Sequence, residues 1–342
     1  APSPSARIDD ATASAARCRN ASSSTTPPSA AEAQRLAGQL LRRAQTALPF
    51  TLTHDQRKAW QEISRDMESP LPMRRLVQGD VGSGKTVIAM LALVKTVENG
   101  CQGALMAPTE ILASQHYESF MRQLEAFGIR VGFLSGRLTK KKRGAMYESI
   151  AKHEVDIVVG THALIQEGVQ FDRLGLVVTD EQHRFGVKQR EALATRGNPP
   201  NILVMSATPI PRTLGLVIFG DLDISIIDEL PPSRKPVKTV LRTSAMRGGV
   251  YDFIRSEVKH GRQAYIVCPL VEEGELDDVA SAKEYAADLM LREFPDIAVG
   301  IVHGQMKSDE KDEVMRKFVE NEYSVLVATT VIEVGVDVPN AT

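Results

Sequence analysis

The chain alternates short runs of apolar residues with longer amphipathic stretches. Runs dominated by Val, Ile and Leu fall at 75–78, 103–108, 131–136, 155–161, 175–180 and 202–208. Apolar runs without polar alternation are typical of strands in a parallel sheet that is covered on both faces. Stretches with helical character lie between them, for example at 85–98 and 110–127. This rhythm predicts an open α/β sheet with helices packed on it.

A proline-rich segment divides this pattern in two. Residues 228–237 read DELPPSRKPV, and the prolines leave no room for a helix, so we predict a linker. The strand pattern restarts after it, with runs at 237–243, 264–270, 298–304 and 324–330. We therefore expect two α/β domains in tandem, the first at 49–230 and the second at 231–342.

The N-terminal part differs in composition. Residues 1–30 consist mostly of Ala, Ser, Thr and Pro, and they offer too little apolar surface to offset the entropy of ordering, so we expect disorder. The next stretch, 31–48, places Leu36, Leu40 and Leu41 on one face and predicts a helical lead-in.

Composition and charge narrow the class of protein only slightly. With 41 basic and 43 acidic residues, the net charge gives no indication of a nucleic-acid partner, although a basic groove can coexist with acidic surfaces. The three cysteines and seven histidines form no zinc-binding pattern. The longest apolar run, at 87–94, is too short to span a bilayer, and no signal-peptide pattern opens the chain. We expect a cytoplasmic protein with no membrane partner.

A glycine-rich segment between a predicted strand and a predicted helix carries the first chemical signal. Residues 77–86 read VQGDVGSGKT. The glycines let the backbone turn tightly and point N–H groups inward, and the helix N-terminus adds a favourable dipole for phosphate. Lys85 can reach the β- and γ-phosphates, and Thr86 can hold magnesium. The residues predicted to hold ATP and magnesium here are Gly79, Asp80, Val81, Gly82, Ser83, Gly84, Lys85 and Thr86.

An acidic pair follows the predicted strand at 175–180. Ligands of open α/β sheets bind at the carboxyl ends of the strands, which is where Asp180 and Glu181 lie. Asp180 could share the magnesium with Thr86, while Glu181 could orient and deprotonate the attacking water. A solvated acidic turn is the alternative, and the nearby phosphate loop favours the functional interpretation.

Several motifs together resemble a known family. The phosphate loop, DEQH at 180–183 and SATPIPRT at 206–213 resemble superfamily 2 nucleic-acid helicases. Over roughly residues 35–342 the order and spacing of further segments resemble the RecG family of branched-DNA helicases more closely; these segments are LPFTLTHDQ, LMAPTEILASQHY, IVVGTHALIQEGVQF, DLDISIIDELPP, VHGQMK and LVATTVIEVGVDVPNA. Transcription-repair coupling translocases share part of this pattern. They normally have Phe where Ser83 stands, and Asp-Glu-Glu-Gln where this chain has DEQH at 180–183.

The resemblance implies a fold of two tandem RecA-like P-loop domains with parallel sheets, and it assigns roles to residues. Gln56, after Phe50, would contact adenine, and Gly335 and Asp337 would face the nucleotide from the second domain. The residues implied in catalysis are Lys85, Asp180, Glu181, Gln182 and His183; Gln182 and His183, with Ser206 and Thr208, would also couple the γ-phosphate state to domain movement. The residues implied in contact with the DNA backbone are Pro108, Thr109, Gly160, Thr161, His162, His303, Gly304, Thr329 and Thr330.

The implied function is that of a monomeric ATP-dependent helicase or translocase that acts on branched DNA in recombination and repair. One alternative is a transcription-repair coupling translocase, and another is a non-catalytic fragment that binds nucleotide and DNA. The sequence contains neither a segment resembling the family's N-terminal wedge domain nor its Gly-Arg-x-Gly-Arg segment. We therefore expect an incomplete second domain, with ATP–magnesium binding, slow hydrolysis and no unwinding by the chain as given.

Overall fold

The computed structural model describes residues 38–166, 168–180, 199–207, 222–229, 231, 237–268, 284–329, 338 and 340–341. The chain divides into two compact units, residues 1–235 and 236–342. The boundary lies in the proline-rich segment at 228–237, five residues from the one the sequence predicted. The segment predicted to be disordered, 1–30, lies outside the described residues. Within the part that is described, no helix has both the length and the apolarity needed to cross a membrane.

The first unit is built on a parallel sheet. Its strands are β1 (Arg74–Gly79), β2 (Gln102–Met106), β3 (Val131–Leu134), β4 (Ile157–Gly160), β5 (Leu174–Thr179), β6 (Asn201–Ser206) and β7 (Asp223–Ile227). They are arranged in the order β3-β4-β2-β5-β6-β1-β7, and every neighbouring pair is parallel. The six apolar runs predicted as strands in this part of the chain are confirmed as β1 to β6.

The described part of the first unit contains five α-helices, one of which is almost wholly buried. They are α1 (Gln39–Thr46), α2 (His54–Glu68), α3 (Lys85–Glu98), α4 (Glu110–Leu124) and α5 (Lys140–Ala151). Helix α3 is buried continuously from Ile88 to Thr96, as expected of a helix that is apolar around most of its circumference. Helices α1 and α2 both contact it. The predicted helix at 85–98 is confirmed, and the stretch 110–127 forms α4 and a 3₁₀ turn at Glu125–Phe127.

A buried arginine fastens α2 to the sheet. Arg75 of β1 donates from Nε to Asp66 Oδ2 (2.7 Å) and from Nη1 to Ser225 Oγ of β7 (2.9 Å). Its Nη1 also lies 3.3 Å from Glu62 Oε2. Because the acids belong to α2, the helix is held against the two strands at this edge of the sheet. The position of the C-terminal half of α2 is thereby fixed relative to β1.

A second ion pair joins the beginnings of β3 and β4. The Asp156 carboxylate accepts from the backbone N–H of Arg130 (2.8 Å) and from its Nε (3.0 Å) and Nη2 (2.7 Å). Burial raises the pKa of the Asp156 carboxyl, but the bonds from Arg130 outweigh that effect and hold the pKa below its ordinary value. The carboxylate therefore stays ionised and holds the edge strand β3 in register with its neighbour β4.

The second unit contains a smaller parallel sheet. Strands β8 (Ala264–Val267), β9 (Val299–Val302) and β10 (Val325–Ala328) are arranged in the order β8-β10-β9. Helices α6 (Arg247–Lys259) and α7 (Ser308–Val319) accompany it. Tyr251, Leu289 and Phe294 pack with Val325 and Val327 in its core. With the first unit, this arrangement confirms the predicted class of two α/β domains with parallel sheets.

The prediction of a strand at 237–243 is wrong. The segment VKTVLRT is irregular and joins no sheet within the described part of the chain. Val237 is 86% exposed and Leu241 is 94% exposed. A strand requires a neighbour to satisfy its backbone hydrogen bonds, so apolar alternation alone does not produce one.

Candidate functional site

The phosphate loop requires glycine at two positions, at Gly84 by its backbone conformation and by lack of space, and at Gly79 by lack of space alone. Gly84 has φ of 90°, and a Cβ added there would lie 2.3 Å from Gln56 Nε2. A Cβ on Gly79 would lie 2.6 Å from Ser83 Oγ and 2.7 Å from the carbonyl oxygen of Ile227. Both distances are well below van der Waals contact, so side chains are excluded on both sides of the loop. The loop is thus a tight backbone cradle between β1 and α3.

Lys85 opens α3 and folds back onto this loop. Its Nζ donates to the carbonyl oxygens of Gly79 (2.7 Å) and Asp80 (3.0 Å), and the residue is 9% exposed. The N-cap position of the helix is Gly84, which supplies no side-chain cap. A positive charge therefore lies beside the N-terminus of a helix, where backbone N–H groups and the helix dipole favour an anion. The cradle and the donors both fit a phosphate group.

Gln56 joins the N-terminus of α2 to the phosphate loop. Its Oε1 accepts from the backbone N–H of Thr53 (3.0 Å), in a capping box in which Thr53 Oγ1 accepts from the Gln56 N–H (3.3 Å). Its Nε2 donates to the Ser83 carbonyl oxygen (2.7 Å), and the residue is 2% exposed. The Thr-x-x-Gln spacing at 53–56 is the signature of a capping box, so the bonds between Thr53 and Gln56 could have been predicted from the sequence. No such signature indicates the bond from Gln56 to Ser83. Contact of Gln56 with adenine stays a prediction.

Asp180 follows β5 and is held at its backbone and its side chain. Its N–H donates to the carbonyl oxygen of Met106 (2.8 Å), at the end of β2. Its Oδ2 lies 2.7 Å from Nε2 of His116, and the side chains of the two residues are 11% and 9% exposed. His116 was not among the predicted site residues. On α4 it shares a buried face with Ala113 and Phe120, so spacing alone would identify it as a core position.

The predicted site residues of the first unit lie along the edge of the sheet that is formed by the carboxyl ends of its strands. The phosphate loop follows β1, Ser206 ends β6, Asp180 follows β5, Pro108 and Thr109 follow β2, and Gly160 ends β4. Since the strand order runs β4-β2-β5-β6-β1, the residues predicted to bind nucleotide lie on one side and those predicted to contact DNA on the other. Neighbouring strands are about 4.8 Å apart, so Asp180 lies about 10 Å across the sheet from the phosphate loop.

The predicted DNA-contact residues of the first unit also have local structural roles. Thr109 is the N-cap of α4, and its Oγ1 accepts from the Leu112 N–H (3.3 Å). Gly160 has no room for a side chain, since an added Cβ would lie 2.0 Å from the Leu134 carbonyl oxygen. His162 is exposed. A helix N-terminus and an exposed turn thus lie next to each other at the ends of β2 and β4.

The second unit repeats this placement. His303 and Gly304 follow β9, and Thr329 follows the neighbouring strand β10. His303 and Thr329 are buried, at 7% and 3% exposure, whereas Gly304 is exposed. Seven predicted site residues lie outside the described residues, namely Glu181, Gln182, His183, Thr208, Thr330, Gly335 and Asp337.

Comparison with known proteins gives matches along most of the chain. The family model "DEAD/DEAH box helicase" matches residues 53–217, and the model "Helicase conserved C-terminal domain" matches residues 249–342. The protein "ATP-dependent DNA helicase RecG" of Thermotoga maritima is 50% identical over 308 residues, which are 90% of this chain and 40% of the relative. Its namesake in Bacillus subtilis is 48% identical over 312 residues, 90% of this chain and 45% of the relative. The chain therefore spans less than half the length of these relatives.

A solved structure matches both units. "Structure of RecG bound to three-way DNA junction" has a TM-score of 0.77 and 42% identity, and the match covers 97% of this chain and 43% of that one. At this level of identity the likeness extends to the sequence as well as the fold.

Proposed function

Because this chain belongs to the RecG family of helicases, we propose that it is the ATP-driven motor of a DNA helicase or translocase that acts on branched DNA. The observation that carries the proposal is the order of residues along the first sheet, with the phosphate cradle and Asp180 on one side and the ends of β2 and β4 on the other. The relative whose structure includes a three-way DNA junction supports the choice of substrate. The protein acts as a monomer in this proposal, and DNA is its partner.

The nucleotide phosphates bind at the loop from Gly79 to Thr86. The Lys85 ammonium group leaves the carbonyl oxygens of Gly79 and Asp80 and donates to phosphate oxygens instead. Phosphate oxygens are the stronger acceptors, because they carry a negative charge. The movement frees these carbonyls, and the loop adjusts around the ligand. Because Gln56 donates to the Ser83 carbonyl oxygen, the N-terminus of α2 responds to that adjustment.

Magnesium is held by the Thr86 hydroxyl and the Asp180 carboxylate. Among the residues described here, no group of three His, Cys, Asp or Glu side chains could hold a metal on its own. A magnesium ion that accompanies a nucleotide needs only one or two protein ligands, because phosphates and water supply the others. When bound, the ion neutralises charge on the phosphate oxygens. The residues present therefore fit the ion.

The nucleobase lies near the beginning of α2. A cavity of about 840 Å³ opens there, lined by Gln45, Thr46, Leu48, Pro49, Phe50, Thr51, Leu52, Arg57 and Trp60. The Phe50 ring is 49% exposed and offers an aromatic face on which a planar base can stack. Gln56, whose amide now spans Thr53 and Ser83, exchanges one of these partners for the adenine edge.

ATP hydrolysis and the domain movement that it drives are assigned to residues in and near the DEQH segment at 180–183. Glu181 orients the attacking water, and Gln182 and His183 with Ser206 and Thr208 pass the state of the γ-phosphate to the second unit. DNA contacts come from residues at the ends of β2 and β4 in the first unit, and of β9 and β10 in the second. Contacts by glycines, threonines and backbone groups carry no base specificity, as a motor that moves along any sequence requires.

The proposal is tested by ATP hydrolysis with and without three-way-junction DNA. We expect turnover that rises when the junction is added, with linear duplex of equal length as the comparison. Lys85→Ala should lose at least tenfold of this turnover, because the phosphates lose their charged partner. Lys152→Ala is the matched control, since Lys152 is an exposed lysine after α5, at the opposite end of the strands.

The readout is the ratio of the hydrolysis rates with and without the junction, so it can be measured even when turnover is slow. A rate that is unaffected by the junction and by Lys85→Ala would contradict the proposal. Binding of nucleotide and DNA without any turnover would contradict it as well and would favour the alternative of a non-catalytic fragment that binds both.

A further inference from the structure

His116 is a buried polar side chain to which the proposed reaction gives no role. It lies in the second turn of α4, a helix that begins directly after β2 and packs through Leu112, Ala113 and Phe120. Its ring is tilted by 48° against the Phe120 ring, with centroids 6.3 Å apart. The ring is therefore held by its surroundings, and its Nε2 reaches 2.7 Å from Asp180 Oδ2.

The geometry of this pair is that of a donor holding one oxygen of a carboxylate. A carboxylate oxygen only accepts, so the hydrogen lies on Nε2 of His116. The Asp180 backbone is fixed separately through its N–H bond to the Met106 carbonyl oxygen. The remaining freedom of Asp180 is rotation of its carboxylate, and the bond from His116 removes it. The bond occupies Oδ2 and leaves Oδ1 to accept from another partner.

We propose that His116 is a positioning residue that holds the Asp180 carboxylate in the orientation needed to bind magnesium. This inference rests on the proposed nucleotide site, in which Asp180 and Thr86 hold the ion. Outer groups that orient a metal-binding side chain typically change metal affinity by about 10–100-fold when they are removed. His116 itself does not touch the metal or the nucleotide.

If His116 only packed in the core, its variants would behave differently from those of a positioning residue. A histidine that only fills space is replaced adequately by an apolar side chain, and its loss affects stability without affecting the metal. A positioning role requires an N–H donor at the place of Nε2. The amide nitrogen of glutamine lies about as far along its side chain as Nε2 does in histidine, so His116→Gln keeps the donor and His116→Leu removes it.

The test measures Mn²⁺ binding to the ADP-bound chain by electron paramagnetic resonance. We expect His116→Leu to raise the Mn²⁺ concentration for half-saturation about tenfold, and His116→Gln to restore most of the wild-type affinity. ADP affinity in the absence of divalent metal should be the same in all three proteins. Melting temperatures of the variants monitor folding, and His116→Gln keeps the comparison valid if His116→Leu is poorly folded.

A second arm uses Asp180→Asn as the background. If His116 acts through Asp180, adding His116→Leu to Asp180→Asn causes no further loss of Mn²⁺ affinity. Equal Mn²⁺ affinity in His116→Leu and wild type would overturn the proposal, as would an undiminished effect of His116→Leu in the Asp180→Asn background. Failure of the wild-type chain to bind ADP at all would instead contradict the nucleotide site and remove the premise for His116.

Discussion

At the residue scale, Gln56 and Gly84 constrain each other. The Gln56 amide donates to the Ser83 carbonyl oxygen and passes so close to Gly84 that a side chain there would collide with Nε2. Gly84 is also in the left-handed region, with φ of 90°. The glycine is therefore required twice, once by its backbone conformation and once by the side chain that packs on it.

Gly84→Ala should destabilise the first unit by about 3 kcal/mol, from the strained backbone and the lost Gln56 bond, and should weaken binding of a fluorescent ATP analogue at least tenfold. Gly100→Ala is the matched control: its φ is 70°, and nothing lies within 4 Å of an added Cβ. It should cost only about 1 kcal/mol. Trp60, the only tryptophan and a buried residue of α2, reports unfolding by its fluorescence in urea. Equal loss of nucleotide affinity in both variants would contradict this account of the loop.

At the element scale, neighbouring residues at the N-terminus of α2 contact the phosphate loop and the segment that begins at Asp228. Gln56 bonds to the phosphate loop, and the Asp55 carboxylate accepts from the N–H groups of Asp228 and Glu229, both at 3.1 Å. Glu229 Oε2 in return accepts from the Asp55 N–H at 3.3 Å. Asp228 and Glu229 open the segment that leads to the unit boundary at 235. One helical turn thus connects the phosphate loop with the beginning of the linker.

Asp55→Ala should open this segment. Two backbone N–H groups lose a charged acceptor at an exposed position, which costs about 1 kcal/mol of local stability and raises the cleavage rate about fivefold. Limited proteolysis with mass mapping of the cut sites within 228–237 measures the effect. Lys58→Ala, an exposed change on the same helix, should leave the rate unchanged. An unchanged rate in Asp55→Ala would show that the Asp55 contacts do not protect the segment.

Elements that depend on local pattern were predictable from the sequence, and those that depend on partners were not. Strands β1 to β6 are continuous apolar runs, and the phosphate loop carries its chemistry in adjacent residues. Strand β7 was missed because Asp223 and Ser225 interrupt its apolar pattern, as expected at a sheet edge. The contact of His116 with Asp180 joins residues 64 positions apart, and it follows from the strand order β2-β5, which no local pattern encodes.

At the scale of the whole molecule, two units with parallel sheets follow each other in the chain. In both, the residues predicted to meet ligands follow the carboxyl ends of neighbouring strands. In the proposed function the first unit divides that edge between nucleotide and DNA, with Asp180 at the end of β5 and the predicted DNA contacts beginning at the adjacent strand β2. The N–H bond from Asp180 to Met106 crosses this division. A change at the nucleotide phosphates is therefore close to the residues proposed to meet DNA.

The central claim is that nucleotide and DNA binding are coupled along this edge, and the affinity for DNA in different nucleotide states tests it most directly. The measurement is the dissociation constant for a fluorescent three-way junction, at one fixed salt concentration, with a non-hydrolysable ATP analogue, with ADP and without nucleotide. We predict that the ATP-analogue and ADP values differ at least fivefold in the wild-type chain, the lower end of typical coupling between sites, and that the difference disappears in Lys85→Ala. Identical values in all nucleotide states of the wild-type chain would contradict the account.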